Sequence, residues 1–347
     1  MDQQKHIQWL GMTLPQMETA MEEIGEKPFR ARQLADWIFQ KGVFEFEQMT
    51  NFSKAFRGKL EAVSHVGMPS LHQLLESRQD PVKKALIELE DGEMIESVLM
   101  KYNYGNSVCV SSQAGCKMNC SFCATGLGGF RRNLTAGEML AQVILMRQAD
   151  EGERVSHIVL MGMGEPLDNY DEVLTFLKIA NASWGLGIGY RHISLSTCGI
   201  TPQIKRLQTE DLPINLSISL HAPNDQIRQQ IMPIAKRYPM DELLIACKEY
   251  SEQTKRRITF EYNLIQGIND SQEHAKELAG KLRRMLAFVN LIPLNTVPES
   301  RLRRSSQSTI QQFADVLNQN GIESTIRREM GGDIWAACGQ LRGQFNR

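Results

Sequence analysis

Between residues 107 and 293 a short β-rich run gives way six times to a helical stretch or to loop and helix, and this alternation narrows the fold more than any other feature. The strand candidates are 107–111, 156–161, 192–196, 214–219, 257–263 and 287–293. Units of this kind build a parallel sheet through right-handed crossovers, either doubly wound or curled into a partial barrel. One helix start is clear. Thr135-Ala136-Gly137-Glu138 reads as a capping box, followed by Met139, Leu140, Val143 and Ile144 on one face.

The 347 residues leave room for a smaller unit beside this array. Residues 1–75 read as a helical accessory domain. Phe29, Leu34, Trp37 and Ile38 fall at near-helical intervals with Arg30 and Arg32 at the rim, so the stripe is expected to pack a core, with nucleic-acid contact by the arginines as the lesser reading. In 76–105 two β-rich runs, 84–90 and 94–100, flank Asp91-Gly92 and predict an antiparallel hairpin extension. The array then occupies 106–330 and a terminal segment 331–347. A hydrophobic fraction of 42% and a charged fraction of 23% exclude a disordered or fibrous chain. No apolar run approaches the ~18 residues of a membrane span and the opening residues lack a signal peptide's features, so a cytoplasmic location and no membrane partner are expected. A net charge of -1 argues against an indiscriminate polyanion binder and leaves partners to be read locally.

Seven cysteines without a secretory signal point to reduced thiols that bind metal or do chemistry. Cys116, Cys120 and Cys123 form a C-x3-C-x2-C loop just after the first strand of the array. Structural zinc is normally closed by four ligands, and this spacing offers three. Three thiolates on a [4Fe-4S] cubane leave one iron open to a further ligand, so the cluster is the expected occupant. Cys247 sits in an apolar helix and reads as a small buried hydrophobe, and packing is the better guess for Cys198 too.

With that loop go Cys109-Val-Ser-Ser-Gln-Ala-Gly-Cys116, Cys120-Ser-Phe-Cys-Ala-Thr-Gly126, Met161-Gly-Met-Gly-Glu-Pro166, Ser194-Leu-Ser-Thr-Cys-Gly199, Ser219-Leu-His-Ala-Pro-Asn-Asp225 and Ala337-Cys-Gly-Gln-Leu341. In this set and order the chain resembles the radical S-adenosylmethionine superfamily, and within it the RlmN/Cfr family of RNA adenosine methyltransferases. The resemblance implies an α/β fold built on a partial (βα)6 TIM-like barrel. It also implies S-adenosylmethionine held by Gly164, Glu165, Ser196, Ser219, Leu220, His221 and Asn295. The residue types suit that ligand: a carboxylate for an ammonium, glycine for close backbone approach, hydroxyl and amide groups for a ribose. Carbon 2 of adenine is electron-poor and offers no nucleophile to a methyl cation, so a radical route is needed, with the hard chemistry carried by the cofactor. The resemblance implies that Cys338 takes a methyl from one S-adenosylmethionine, that a second yields the radical, that Cys109 releases the product as a disulfide forms, and that Glu96 removes the ring proton.

The substrate implied is 23S rRNA, with tRNA as a second candidate, on a monomeric enzyme served by a reducing donor such as a flavodoxin. The Cfr branch, which methylates carbon 8 of the same nucleotide, is the alternative. One departure stands out: the position three before Cys338, commonly acidic in the pattern, is Trp335, with Asp333 nearby. Arg131, Arg132, Arg301, Arg303, Arg304, Arg327 and Arg328 are expected at the open face to guide phosphates, whereas Lys255-Arg256-Arg257 falls on the opposite rim. A zinc-dependent RNA-binding protein and a radical enzyme with a different substrate are the competing readings.

Overall fold

The computed structural model describes residues 7–343, so expectations that fall on 1–6 and 344–347 lie outside the described residues. One sheet of ten strands carries the architecture. In chain order these are β1 (Ser70–Glu76), β2 (Val82–Glu88), β3 (Met94–Tyr102), β4 (Gly105–Cys109), β5 (Val155–Leu160), β6 (Ile193–Thr197), β7 (Asn215–Ser219), β8 (Ile258–Leu264), β9 (Ala287–Pro293) and β10 (Ser324–Ile326). Every strand is hydrogen-bonded to its neighbour in the chain. β1 to β4 pair antiparallel and β4 to β10 parallel. A doubly wound sheet needs a reversal of strand order at its switch point, and none occurs. The winding runs in one direction, with β1 and β10 as free edges, which is an incomplete barrel. The six array strands match expectation to within two residues.

The hairpin forms with Glu88 opposite Met94 and Lys84 opposite Val98, and continues the barrel sheet itself. Residues 70–76, read from sequence as part of the helical domain, form β1. That strand buries almost nothing and is held by backbone pairing to β2, so its side chains carry no alternation to betray it. A two-residue parallel pair, Ile7–Gln8 with Ser64–His65, is a second strand feature absent from the sequence reading.

The N-terminal helices are α1 (Leu14–Glu23), α2 (Phe29–Ala35) and α3 (Lys54–Val63). α2 runs into a π-helical turn at Asp36–Gln40, so the buried set becomes Ala31, Leu34, Ala35, Ile38 and Phe39. Phe29, expected in the core stripe, is 52% exposed. α4 (Ala136–Gln148) has the expected box: Thr135 Oγ1 accepts from Glu138 N–H and Glu138 accepts from Thr135 N–H. It is buried on nearly every face because it lies between the barrel and the N-terminal helices. Gly11 and Gly137 permit that contact, since a Cβ on Gly11 would come within 2.5 Å of the Gly137 nitrogen. No helix among the described residues is long and apolar enough to cross a membrane.

Candidate active site

In a βα array the loops beyond the carboxyl ends of the strands converge, and here they enclose two adjoining clefts. The first, about 890 Å³ with its mouth included, is lined by Cys116, Cys120 and Cys123 together with Gly164, Glu165, Ser196, Ser219 and His221. The second, about 620 Å³, is lined by Cys109, Asn295 and the apolar side chains of β3, β5 and β9. Cys338 and Arg327 line both. Leu220 and Glu96 line neither and are fully buried.

The thiol loop leaves β4 through Gln113–Gly115 and ends in the helical turn Ala124–Leu127. Burial pushes the Cys116 thiol up to about 12 and raises Cys120 and Cys123 as well, and each is raised further by a neighbouring thiol. Three neighbouring thiols, two buried and one half-buried, all with raised pKa values, give up their protons to a strongly positive centre, and three thiolates are a donor set that fits an iron-sulfur cluster. Among the described residues no three His, Cys, Asp or Glu side chains are drawn together as they would be around a single metal ion. All seven cysteines are free, so the disulfide expected between Cys109 and Cys338 is absent.

Around the first cleft the polar groups are already tied to backbone. Gly164 has φ +103, and a Cβ there would meet Gln113 Cβ at 2.6 Å, so the turn after β5 admits only glycine. Glu165 accepts from Cys198 N–H at 2.7 Å and Leu167 N–H at 3.0 Å, while burial raises its pKa. His221 adopts φ +55, its Nδ1 accepts from Asn263 N–H at 2.9 Å, and Phe122 packs edge-on at 4.8 Å. Burial, helped by the nearby Arg228 charge, lowers its pKa to about 3, so the ring is neutral with its proton on Nε2. The hydroxyls of Ser196 and Ser219 lie 3.4 Å apart. Arg228, which sequence reasoning passed over, is fully buried and donates to the carbonyls of Cys198 and Leu220, clamping the loops after β6 and β7.

Residues 331–341 close the barrel over the thiol loop. Ala124 N–H donates to Gly339 O at 2.8 Å, Thr125 Oγ1 donates to Leu341 O, and Asn295 Nδ2 donates to Cys338 O at 3.1 Å. Trp335, at φ +54, lies under the Arg342 guanidinium at 5.0 Å, and its carbonyl accepts from Lys84 Nζ. Asp333 accepts from Ser77 Oγ and Arg78 N–H. Beneath this segment Glu96 forms a buried ion pair with Lys84, Nζ to carboxylate 3.6 Å, close to the backbone of Arg342. Burial raises the Glu96 pKa, opposed by Lys84. Burial also pushes the Cys109 thiol up to about 12.

The arginines divide. Arg131, Arg301 and Arg303 are exposed. Arg132 is bound by Asp91 and Glu138, Arg304 by Glu329 and Arg328 by Asp80, and Arg327 points into the clefts instead of outward. Arg256 and Arg257 pair with Asn215 and Glu323 at the amino ends of the strands, on the rim expected for them.

Comparison with known proteins bears on the family and the fold. Residues 7–66 match a family model described as the ribosomal RNA large subunit methyltransferase N-terminal domain, and residues 110–279 match the radical SAM superfamily. A protein of Clostridium perfringens (strain SM101 / Type A) named probable dual-specificity RNA methyltransferase RlmN is 52% identical over 336 residues, 97% of this chain and 96% of that one. One of the same name from Alkaliphilus metalliredigens is 50% identical over 98% of this chain and 96% of its own length. The crystal structure of a radical SAM methyltransferase from Sphaerobacter thermophilus superposes with a TM-score of 0.94 at 41% identity, covering 97% of this chain and 100% of that one.

Proposed function

The chain belongs to the RlmN family of radical S-adenosylmethionine RNA methyltransferases, and from that premise we propose that it methylates carbon 2 of an adenosine in 23S rRNA, with tRNA as a second substrate. The observation that carries the reading is Cys338 on the wall shared by the two clefts. One sulfur there reaches both the thiol-lined cleft and the cleft that holds Cys109. Cys116, Cys120 and Cys123 would hold the cluster, and the first cleft S-adenosylmethionine. When bound, these groups supply a transferable methyl and a radical able to abstract hydrogen from it.

The residues of the chain divide the remaining work. Cys338 Sγ accepts the methyl by displacement and presents it to the second cleft. Apolar side chains of β3, β5 and β9 keep water from that cleft. The resemblance gives Glu96 the proton lost from the ring carbon; its carboxylate lies buried beside Lys84, behind the cleft walls and not on them, and burial raises its pKa, which makes it the stronger base. Once the adduct has lost that proton and its unpaired electron, which the cluster that supplied one electron would take back, the Cys109 thiolate attacks the Cys338 sulfur: the sulfur–sulfur bond forms as the sulfur–methylene bond breaks, and the methylene carbon keeps the pair and takes a proton to become the methyl group of the freed RNA. Gly164, Glu165, Ser196, Ser219 and His221 line the first cleft and orient the cofactor, Leu220 does so through the backbone between Ser219 and His221, and Asn295, on the wall of the second cleft, acts through its hydrogen bond to Cys338 O. The target adenosine is extruded from its stack to reach the cleft, with Arg131, Arg301 and Arg303 guiding phosphates and residues 1–75 as an accessory RNA contact. A reducing donor such as a flavodoxin, a monomeric state and a cytoplasmic location complete the proposal.

Anaerobic reconstitution with iron, sulfide, S-adenosylmethionine and unmodified rRNA, followed by nucleoside analysis, tests it. 2-Methyladenosine is expected from the wild type, and none from Cys338→Ala, whose iron-sulfur absorbance near ~400 nm persists. 8-Methyladenosine as sole product transfers the chain to the Cfr type of chemistry, and an absence of both products from wild type ends the reading.

A further inference from the structure

The wall of the second cleft carries an uncommitted cation. Arg327 follows β10, and its backbone N–H donates to Leu291 O at 2.8 Å, which fixes the side chain over the cleft. No hydrogen bond or ion pair of its guanidinium is found among the described residues. The groups that feel its charge are Cys338, Glu261, Tyr102 and Cys109. Glu261 is already engaged by Asn290 Nδ2 at 2.8 Å. The other donors nearby are also committed: Tyr102 to Met100 Sδ, Asn295 Nδ2 to Cys338 O, and Arg328 to Asp80.

A half-buried guanidinium on a cleft wall, with no protein acceptor, is placed to bind an acceptor-bearing ligand. The methyl-accepting position supplies one. Carbon 2 of adenine lies between N1 and N3, both acceptors, so an adenine that presents carbon 2 to Cys338 brings a ring nitrogen beside whatever flanks that sulfur. We infer that Arg327 donates a hydrogen bond to N1 or N3 of the target adenine and so selects adenine at this site, an inference that rests on the function proposed above. Guanine carries a hydrogen on N1 and an amine on carbon 2. At N1 donor would meet donor, and at N3, an acceptor in both purines, it is the amine on carbon 2 that crowds the guanidinium and blocks the carbon presented to Cys338, so guanine is refused. The apolar walls, Val98, Met100, Val159, Met161 and Ile292, suit the faces of a purine.

The test is a cycle of one side chain against one ring atom. Stem-loop transcripts carrying adenosine, 1-deazaadenosine or 3-deazaadenosine at the target are compared with wild type, Arg327→Gln and Arg327→Lys, reading single-turnover kcat/KM and the Kd from fluorescence anisotropy. For wild type, one of the two analogues costs roughly 10- to 100-fold, the range of a hydrogen bond from a charged donor. In Arg327→Gln the adenosine substrate loses about as much, and the same analogue then costs little more, because the partner is already gone. Arg327→Lys, still a charged donor, recovers part of the loss and retains part of the analogue penalty. Equal analogue penalties in wild type and both variants overturn the inference, as does weakened S-adenosylmethionine binding with unchanged analogue penalties, which would assign Arg327 to the cofactor. A wild type that methylates no transcript defeats the proposed function and this inference with it.

Discussion

Glu165 enters any ligand complex with both carboxylate oxygens already bonded to backbone N–H groups. Its first duty is to hold the turns after β5 and β6 in register, and whatever ammonium it meets shares an oxygen with one of them. Glu165→Gln puts an NH2 where an acceptor is required and orphans one buried N–H. A loss of about 1–3 kcal/mol is expected from the urea unfolding midpoint. His221 gives a pH signature. Its folded pKa of about 3 lies below the unfolded value near 6.5, so between those limits the unfolded chain binds more protons. Stability is therefore complete above the upper limit and falls as pH drops toward the lower. From pH 7.5 to 5 this one site costs about 2 kcal/mol, a loss that His221→Gln should lack when unfolding free energies at the two values are compared.

At the scale of elements, the hairpin of β2 and β3 brings a cation and a carboxylate together on its buried face. Lys84 stands opposite Val98 and Leu86 opposite Glu96, so the charged pair is diagonal across the ladder. Lys84→Met strands the carboxylate and should cost about 3–5 kcal/mol, whereas Lys84→Met with Glu96→Leu should cost less than the single change, read from thermal or urea midpoints. α4 offers a smaller test: Thr135→Ala removes one half of its box and about 1 kcal/mol. Some of this is legible in the amino-acid order alone. The box, the hairpin turn and the six array strands are local patterns with a fixed period or spacing, and C-x3-C-x2-C is a spacing too. β1 escaped because its side chains face solvent; of the helical stripe Leu34 and Ile38 are buried as expected, and Phe29, the first residue of its helix, is exposed. The roles of Arg228 and Arg327 were out of reach for another reason: a lone arginine has no spacing, and only the fold reveals that one clamps two loops while the other lacks a partner.

For the whole molecule, the connection that matters joins residues far apart in the chain. Thr125 and Leu341 meet across 216 residues, and with Ala124–Gly339 and Asn295–Cys338 they tie the terminal segment to the thiol loop and to the strand end of β9. Ending the chain at Gly331 should leave the barrel folded but uncover the thiol loop. In the apo-protein Cys123 should then react with iodoacetamide about tenfold faster than in the full chain, as peptide mass spectrometry can follow, because a local cover has been removed without global unfolding.

That long-range tie also orders events during synthesis. The three thiols of the loop emerge from the ribosome well before the sulfur at 338. On the proposed function, a product cut short in that interval would have the cradle for a cluster and lack the methyl-carrying atom, so it would load iron without modifying RNA.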